Sequence, residues 1–176
     1  AVQFTTASAV ANGYFQVLLP ADTTTPNDGN PDDQGYDFNT TVNVTAPADV
    51  GSTFDFVTGV ATAAGATGCT SPANYHCFEF HYSGAGGVGQ AFTLYIGNTN
   101  GSNTPIAPAT GTAHAEATAD TYPVLVRQFA AGTDPNSATP VDATSARVAH
   151  IEAVRVTATV EPTISFSIAG IASGAT

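Results

Sequence analysis

Alternation of apolar and polar residues with a period of two predicts β-strands through much of the chain. The clearest case is residues 75–82, in which the aromatic side chains Phe78 and Phe80 share one face. Side chains two positions apart point to the same face of a strand, so this aromatic face is predicted to be buried. Residues 91–96 repeat the pattern, and the glycine-rich residues 83–87 between the two strands predict a hairpin.

Shorter apolar runs predict the remaining strands. No segment combines the 3.6-residue apolar spacing and the capping residues of a helix. Strands are predicted over residues 2–6, 14–19, 40–45, 53–60, 122–129, 148–160 (with a bend near Ala153) and 164–168. The total of about eight to ten strands separated by turns predicts an all-β fold, a single β-sandwich or jelly-roll-like domain. We place this domain at residues 13–176, after an extended N-terminal strand in residues 1–12.

Charge excludes several classes of partner. The chain has 176 residues, a formal net charge of −11 and only three basic residues, all arginine. A phosphate backbone would be repelled, so nucleic-acid binding is excluded. No apolar run is long enough to predict a membrane-spanning helix. Only 10% of the residues are charged, which indicates a surface covered mainly by Thr, Ser, Asn, Gly and Ala and favours an extracellular protein packed against copies of itself.

The two cysteines, Cys69 and Cys77, are close enough in sequence to close a small loop. Two buried thiols or half of a metal site are the alternatives, but zinc would need further ligands and no second cysteine pair exists. In a chain without Lys, Met or Trp and rich in Thr and Asn, we interpret the pair as a disulfide formed in an oxidising compartment.

Other features agree with secretion. The chain starts at Ala1 without Met, as expected of an N-terminus left after removal of a signal peptide. Asn39, Asn43 and Asn100 each begin an Asn-x-Ser/Thr sequence, the acceptor motif for N-glycosylation, although chance would produce such motifs in a chain of this composition.

An acidic loop is the candidate cation site. Asp28, Asn30 and Asp32 occupy alternate positions, as in oxygen-rich calcium loops, and Asp33 and Asp37 follow them. The usual glycine and the final bidentate glutamate of such loops are missing. The alternative is a solvated turn built from good turn-forming residues.

Nothing in the sequence predicts an enzyme. No nucleophile elbow, zinc-protease helix or phosphate-binding loop is present. Glu79, Glu116 and Glu152 could supply a carboxylate pair for glycoside hydrolysis, but the sequence selects no pair among them. We therefore assign no catalytic residues.

The N-terminal strand is the candidate contact between copies. Val2, Phe4 and Thr6 alternate in an extended segment at the free end of the chain. Such a segment can add to the sheet edge of another molecule, where main-chain hydrogen bonds supply affinity and alternate side chains fill pockets. The alternative is that it pairs within its own sandwich. The lack of charged residues that would protect sheet edges favours donation to a neighbour.

With these features together, the chain resembles the Thr/Ala-rich β-sandwich subunits of prokaryotic extracellular filaments (pilin-like) and surface layers. The resemblance rests on the start Ala1-Val2-Gln3-Phe4, the small loop between the cysteines, and residues 160–170, VEPTISFSIAG. It implies head-to-tail polymerisation, with strand donation as one route.

The leading hypothesis is therefore a structural subunit of a self-assembling filament or surface layer, joined non-covalently to copies of itself. The alternative is a calcium-assisted carbohydrate-binding or adhesin module that uses the acidic loop to contact surface glycans. Sugar binding usually needs flat aromatic platforms, and the absence of Trp weighs against this alternative.

Overall fold

A computed structural model describes residues 1–22, 24–39, 42–57, 59–62, 74–97, 103–109, 118–135 and 137–151. Within these ranges the chain is all β, as predicted, and forms two antiparallel sheets. The strands are β1 (Val2–Thr5), β2 (Tyr14–Pro20), β3 (Val44–Thr45), β4 (Asp55–Phe56), β5 (Val60–Thr62), β6 (Tyr75–Ser83), β7 (Ala91–Ile96), β8 (Ala119–Phe129) and β9 (Asp142–Ile151).

The two sheets differ in width. The smaller sheet has the order β1-β7-β3, and the larger has the order β4-β6-β2-β8-β9, with β5 also paired to β6. Strand β2 lies between two long neighbours, and every one of its residues is buried. Strands β1 and β9 each form one edge of their sheets within the described chain.

A cluster of aromatic side chains fills the space between the sheets. Phe15 of β2 lies at its centre, with its ring centroid 5.2 Å from that of Phe4 and 5.9 Å from that of Phe92. The aromatic face predicted for residues 75–82 is buried here, since His76, Phe78, Phe80 and Tyr82 are all inaccessible to solvent or nearly so. The period-two pattern thus identified both the strand and its buried face.

The predicted hairpin between β6 and β7 is wrong. The two strands belong to different sheets, and residues 83–90 carry the chain from one sheet to the other. Gly84 and Gly86 adopt positive φ angles of 111° and 69° in this crossover. A side chain at Gly86 would collide with the backbone of Val10, so glycine permits the close approach that the crossover needs.

The N-terminal strand takes the place beside β7 that the hairpin would have used. In the register of β1 and β7, Val2 pairs with Leu94 and Phe4 pairs with Phe92. Residues 1–12 were predicted as an extension ahead of the domain; in the single chain, residues 2–5 are a strand of the sandwich itself. Residues 152–176, which contain the predicted strand 164–168 and the end of the predicted strand 148–160, lie outside the described residues.

Candidate functional site

The difference in width between the sheets leaves a groove along β1. The larger sheet has five strands in its main order and the smaller has three, and β1 of the smaller sheet lines the groove together with β8 and β9 of the larger. The groove has a volume of about 500 Å³, within the range of roughly 300–1,000 Å³ typical of sites that bury a ligand. We call it the β1 groove; its lining includes Val2, Phe4, Val124, Val126, Thr144 and Ala146.

The floor of the β1 groove is formed mainly by apolar or small side chains of β8 and β9. Val124 and Val126 of β8 are buried, and Ala146 and Thr144 of β9 lie directly beside them in the antiparallel register. Paired residues of antiparallel strands face the same side, so both β9 side chains point toward the groove. Both are exposed. Their small size leaves room above β9 for the side chains of another segment.

The wall of the groove is the free edge of β1. Thr6 continues the ladder toward β7, since its amide donates to the Gln90 carbonyl at 3.0 Å. Backbone groups alternate sides along an antiparallel strand, so those of Gln3 and Thr5 point away from β7. Within the described chain, no strand pairs with that side of β1.

One end of the groove is closed by a hydrogen bond between the two sheets. The amide of Ala7 donates to a carboxylate oxygen (Oδ2) of Asp142 at 3.0 Å. This contact joins the residue after Thr6 to the first residue of β9. It fixes the separation of the two edges at this end, and the groove runs from there alongside β1.

The three side chains predicted to be donated lie in the chain's own core. Val2 and Phe4 pack against the aromatic cluster, and the Thr6 hydroxyl donates to the Gly87 carbonyl at 2.7 Å. The single chain therefore adopts the alternative in which the N-terminal strand pairs within its own sandwich. Its outer edge has no partner strand among the described residues.

The acidic loop is held by bonds within the loop. The carboxylate of Asp28 accepts the amide of Asn30 at 2.8 Å, and that of Asp32 accepts the amide of Gln34 at 2.7 Å. Such bonds between a side chain and the backbone two residues on are Asx-turns, the chemistry of the solvated-turn alternative. No group of three or more metal-ligating side chains occurs among the described residues. Calcium binding here, including by Asn30 and Asp33, stays a prediction.

Asp37 is the one predicted ligand that is fully buried. One of its oxygens, Oδ1, accepts the Gly29 amide at 2.9 Å, while the other, Oδ2, has no hydrogen-bond partner in the described chain. Burial raises the pKa of this carboxyl, the charge of Asp28 acts in the same direction, and the Gly29 amide acts against both. A hydrogen bond also joins the loop to the sandwich: the Tyr122 hydroxyl of β8 donates to the Asp33 carbonyl.

The remaining predicted residues are placed as follows. Cys77 is fully buried on β6, and Cys69 lies outside the described residues, so the disulfide stays a prediction. Asn39 is exposed and Asn43 is half-buried; Asn100 lies outside the described residues. Within the described ranges, no helix has the length and apolar character that crossing a bilayer requires.

A polar chain of side chains crosses the outer face of the larger sheet, and the sequence analysis missed it. Arg127 donates to the Gln16 side chain at 2.7 Å, and Gln16 donates to Glu79 at 3.0 Å. His81 completes it at 2.7 Å from Glu79. Burial lowers the pKa of the Arg127 guanidinium. The signal in the sequence was Gln16, a lone polar residue inside the apolar run of β2.

This polar chain ties β2, β6 and β8 together through side-chain hydrogen bonds. Glu79, one of the carboxylates considered for glycoside hydrolysis, is engaged by Gln16 and His81. Glu116 and Glu152 lie outside the described residues.

His76 provides a pH dependence of stability. Its ring is fully buried, and Nε2 lies 2.9 Å from the Tyr36 carbonyl. Burial lowers its pKa, and the bond to Tyr36 acts in the opposite direction. The unfolded chain, in which histidine titrates near about 6.5, therefore takes up a proton before the folded chain does.

We expect the free energy of unfolding to be largest above this unfolded value and to decrease as the pH falls toward the lowered pKa of folded His76. Urea unfolding at several pH values between about 7 and 5 measures the slope. His76→Gln, which keeps a donor for the Tyr36 carbonyl, is expected to flatten it, whereas His81→Gln should retain it. An unchanged slope in His76→Gln would contradict the assignment.

Comparisons with known proteins identify no family for this chain. No protein-family model matches the chain, and neither a curated protein nor a solved structure matches it. The functional argument therefore rests on the β1 groove and on the composition of the chain.

Proposed function

We propose that this chain is a structural subunit of a self-assembling extracellular filament or surface layer, in which copies are joined non-covalently by β-strand complementation. The observation that supports the proposal is the β1 groove, an apolar trough beside a free strand edge. A strand added there would gain main-chain hydrogen bonds from β1 and apolar contacts from the floor.

The edges of the sandwich also favour association. Proteins that stay monomeric usually protect long edge strands with lysine, proline or inward-pointing charge. Strand β9 is a ten-residue edge within the described chain. It has no lysine or proline. Its inner face carries one charge, Asp142, which accepts the Ala7 amide at the closed end of the groove, and then the uncharged Thr144 and Ala146. The side chains of Val148 and Ile151 are 39% and 72% exposed.

Extracellular location belongs to the same proposal. A surface with few charges suits a protein that contacts copies of itself, and the proposed disulfide between Cys69 and Cys77 suits an oxidising compartment. Intact-mass measurement before and after reduction tests the disulfide, because its formation removes two hydrogen atoms.

A charge placed on the groove floor tests the proposed function. Ala146→Glu is expected to leave the fold intact, because Ala146 is exposed. It should raise the concentration needed for assembly about a hundredfold or more, because an incoming apolar strand would bury an unpaired carboxylate. Sedimentation velocity and negative-stain electron microscopy measure assembly.

The matched control is Ala149→Glu. Ala149 is also exposed on β9, but it alternates with Ala146 and so lies on the opposite face. This variant should assemble like the unmodified chain. If the unmodified chain remains a stable monomer at high concentration, or if Ala146→Glu assembles as readily as the control, the proposed function is wrong.

A further inference from the structure

The β1 groove accepts a strand with a specific pattern. Along its wall, the backbone N–H and C=O groups of Gln3 and Thr5 point toward the position of an added strand. Only one face of that strand would contact the floor of the groove. The floor is apolar, whereas the outer face of β1 carries exposed polar side chains. A matching strand needs apolar residues at alternate positions, small polar residues between them and no charge.

One segment of this chain outside the described residues has this pattern. Residues 163–169, TISFSIA, carry Ile164, Phe166 and Ile168 on one face and Ser165 and Ser167 on the other, without a charged residue. The three apolar side chains would span about 13 Å at roughly 3.3 Å per residue. That length is similar to the length of β1, which is four residues long.

The course of the chain favours a groove on another copy. Strand β9 starts at Asp142, beside the closed end of the groove, and leaves the groove lining after Ala146 on its way to Ile151. The sequence predicts that residues 152–160 continue as a strand with a bend near Ala153, which would carry the chain up to about 30 Å further at roughly 3.3 Å per residue. The segment 163–169 would then begin well away from its own groove.

We propose that residues 163–169 of one copy insert into the β1 groove of the next copy as an added strand beside β1. This inference rests on the proposed function and names its donor. Donor segment and acceptor groove are different parts of the chain, so each contact leaves one donor and one groove unused. Repetition of such a heterologous contact gives an open fibre.

Single substitutions in the donor provide the first test. Phe166→Asp places a charge on the inserted face and is expected to raise the concentration needed for assembly about a hundredfold. Ser167→Asp, one position along and on the opposite face, is the matched control and should still form fibres. Fibre formation by Phe166→Asp at the concentration that suffices for the unmodified chain would overturn the inference.

Mixing two defective subunits provides the second test. Ala146→Glu blocks the acceptor and Phe166→Asp blocks the donor, so each alone should sediment as a monomer. In an equimolar mixture, the intact donor of Ala146→Glu can enter the intact groove of Phe166→Asp. The resulting heterodimer has no intact donor or groove left, so it cannot extend further. We expect discrete heterodimers by sedimentation velocity; a mixture that stays monomeric would overturn the inference.

Melting temperatures separate a neighbour's groove from the chain's own. If the segment packed on its own domain, Phe166→Asp would melt lower than its control Ser167→Asp at a protein concentration too low for assembly, where both variants keep an intact groove. We expect equal melting temperatures, and a decrease would overturn the inference. If Phe166→Asp forms fibres as readily as the unmodified chain, only this donor segment is rejected and the proposed function stands. If the unmodified chain forms no fibres, the proposed function and the donor segment are both rejected.

Discussion

Replacing Phe15 by alanine is expected to lower the free energy of unfolding by about 3–5 kcal/mol. Phe15 is 2% exposed, and its ring meets aromatic rings from both sheets, including Phe4, Phe80 and Phe92. Removing it leaves a cavity between the sheets that its rigid neighbours cannot fill. A loss of this size is a large fraction of the stability of an ordinary domain.

Urea unfolding followed by far-UV circular dichroism or tyrosine fluorescence measures this effect, because the chain has no Trp. Val88→Ala is the control, since Val88 is 67% exposed and should change stability by no more than about 0.5 kcal/mol. A loss below about 1 kcal/mol for Phe15→Ala would contradict the position of the Phe15 side chain between the two sheets.

Replacing Phe4 by alanine is expected to lower the free energy of unfolding by about 2–3 kcal/mol, less than at Phe15 because Phe4 is only half-buried. Its ring contacts Phe15, and Phe92 lies opposite it in the β1–β7 register. The measurement must use the monomer, for which the Ala146→Glu background is suitable.

Gln3→Ala is the matched control, because Gln3 is the next residue of β1 and its side chain is exposed on the outer face. It should change stability by no more than about 0.5 kcal/mol. If Phe4→Ala were as mild as Gln3→Ala, β1 would not belong to the sandwich of the monomer, and donation of Val2, Phe4 and Thr6 to a neighbour would regain support.

Local pattern predicted the strands that pack against the aromatic core well, because alternation reports burial of one face. It did not predict the start of β9 at Asp142, six residues before the predicted residue 148, because its side chains there are exposed on both faces. The sequence placed β7 at residues 91–96 and the aromatic strand at 75–82, close to the observed bounds. Partner choice could not be predicted in the same way. The glycine-rich turn at 83–87 is compatible with a hairpin, and only the long-range pairing of Phe4 with Phe92 decides that β7 joins β1 instead.

The candidate site, the β1 groove, could not be predicted from the sequence, because it too depends on long-range placement of strands. The β1 groove exists because the larger sheet is wider than the smaller one, which depends on how β1 and β9 are placed. Neither Val124 nor Ala146 stands out in sequence as a binding residue. The sequence did supply the alternating segment 164–168 and the unprotected edges.

The position of β2 between β6 and β8 also constrains how this chain folds. Its partners lie as far along the chain as Phe129, so an N-terminal fragment cannot form the centre of the larger sheet. Contacts so distant in sequence require closure of large loops and make folding slow. During synthesis, the Phe-rich first half therefore stays uncovered until β8 has emerged, and a chaperone would protect it from aggregation.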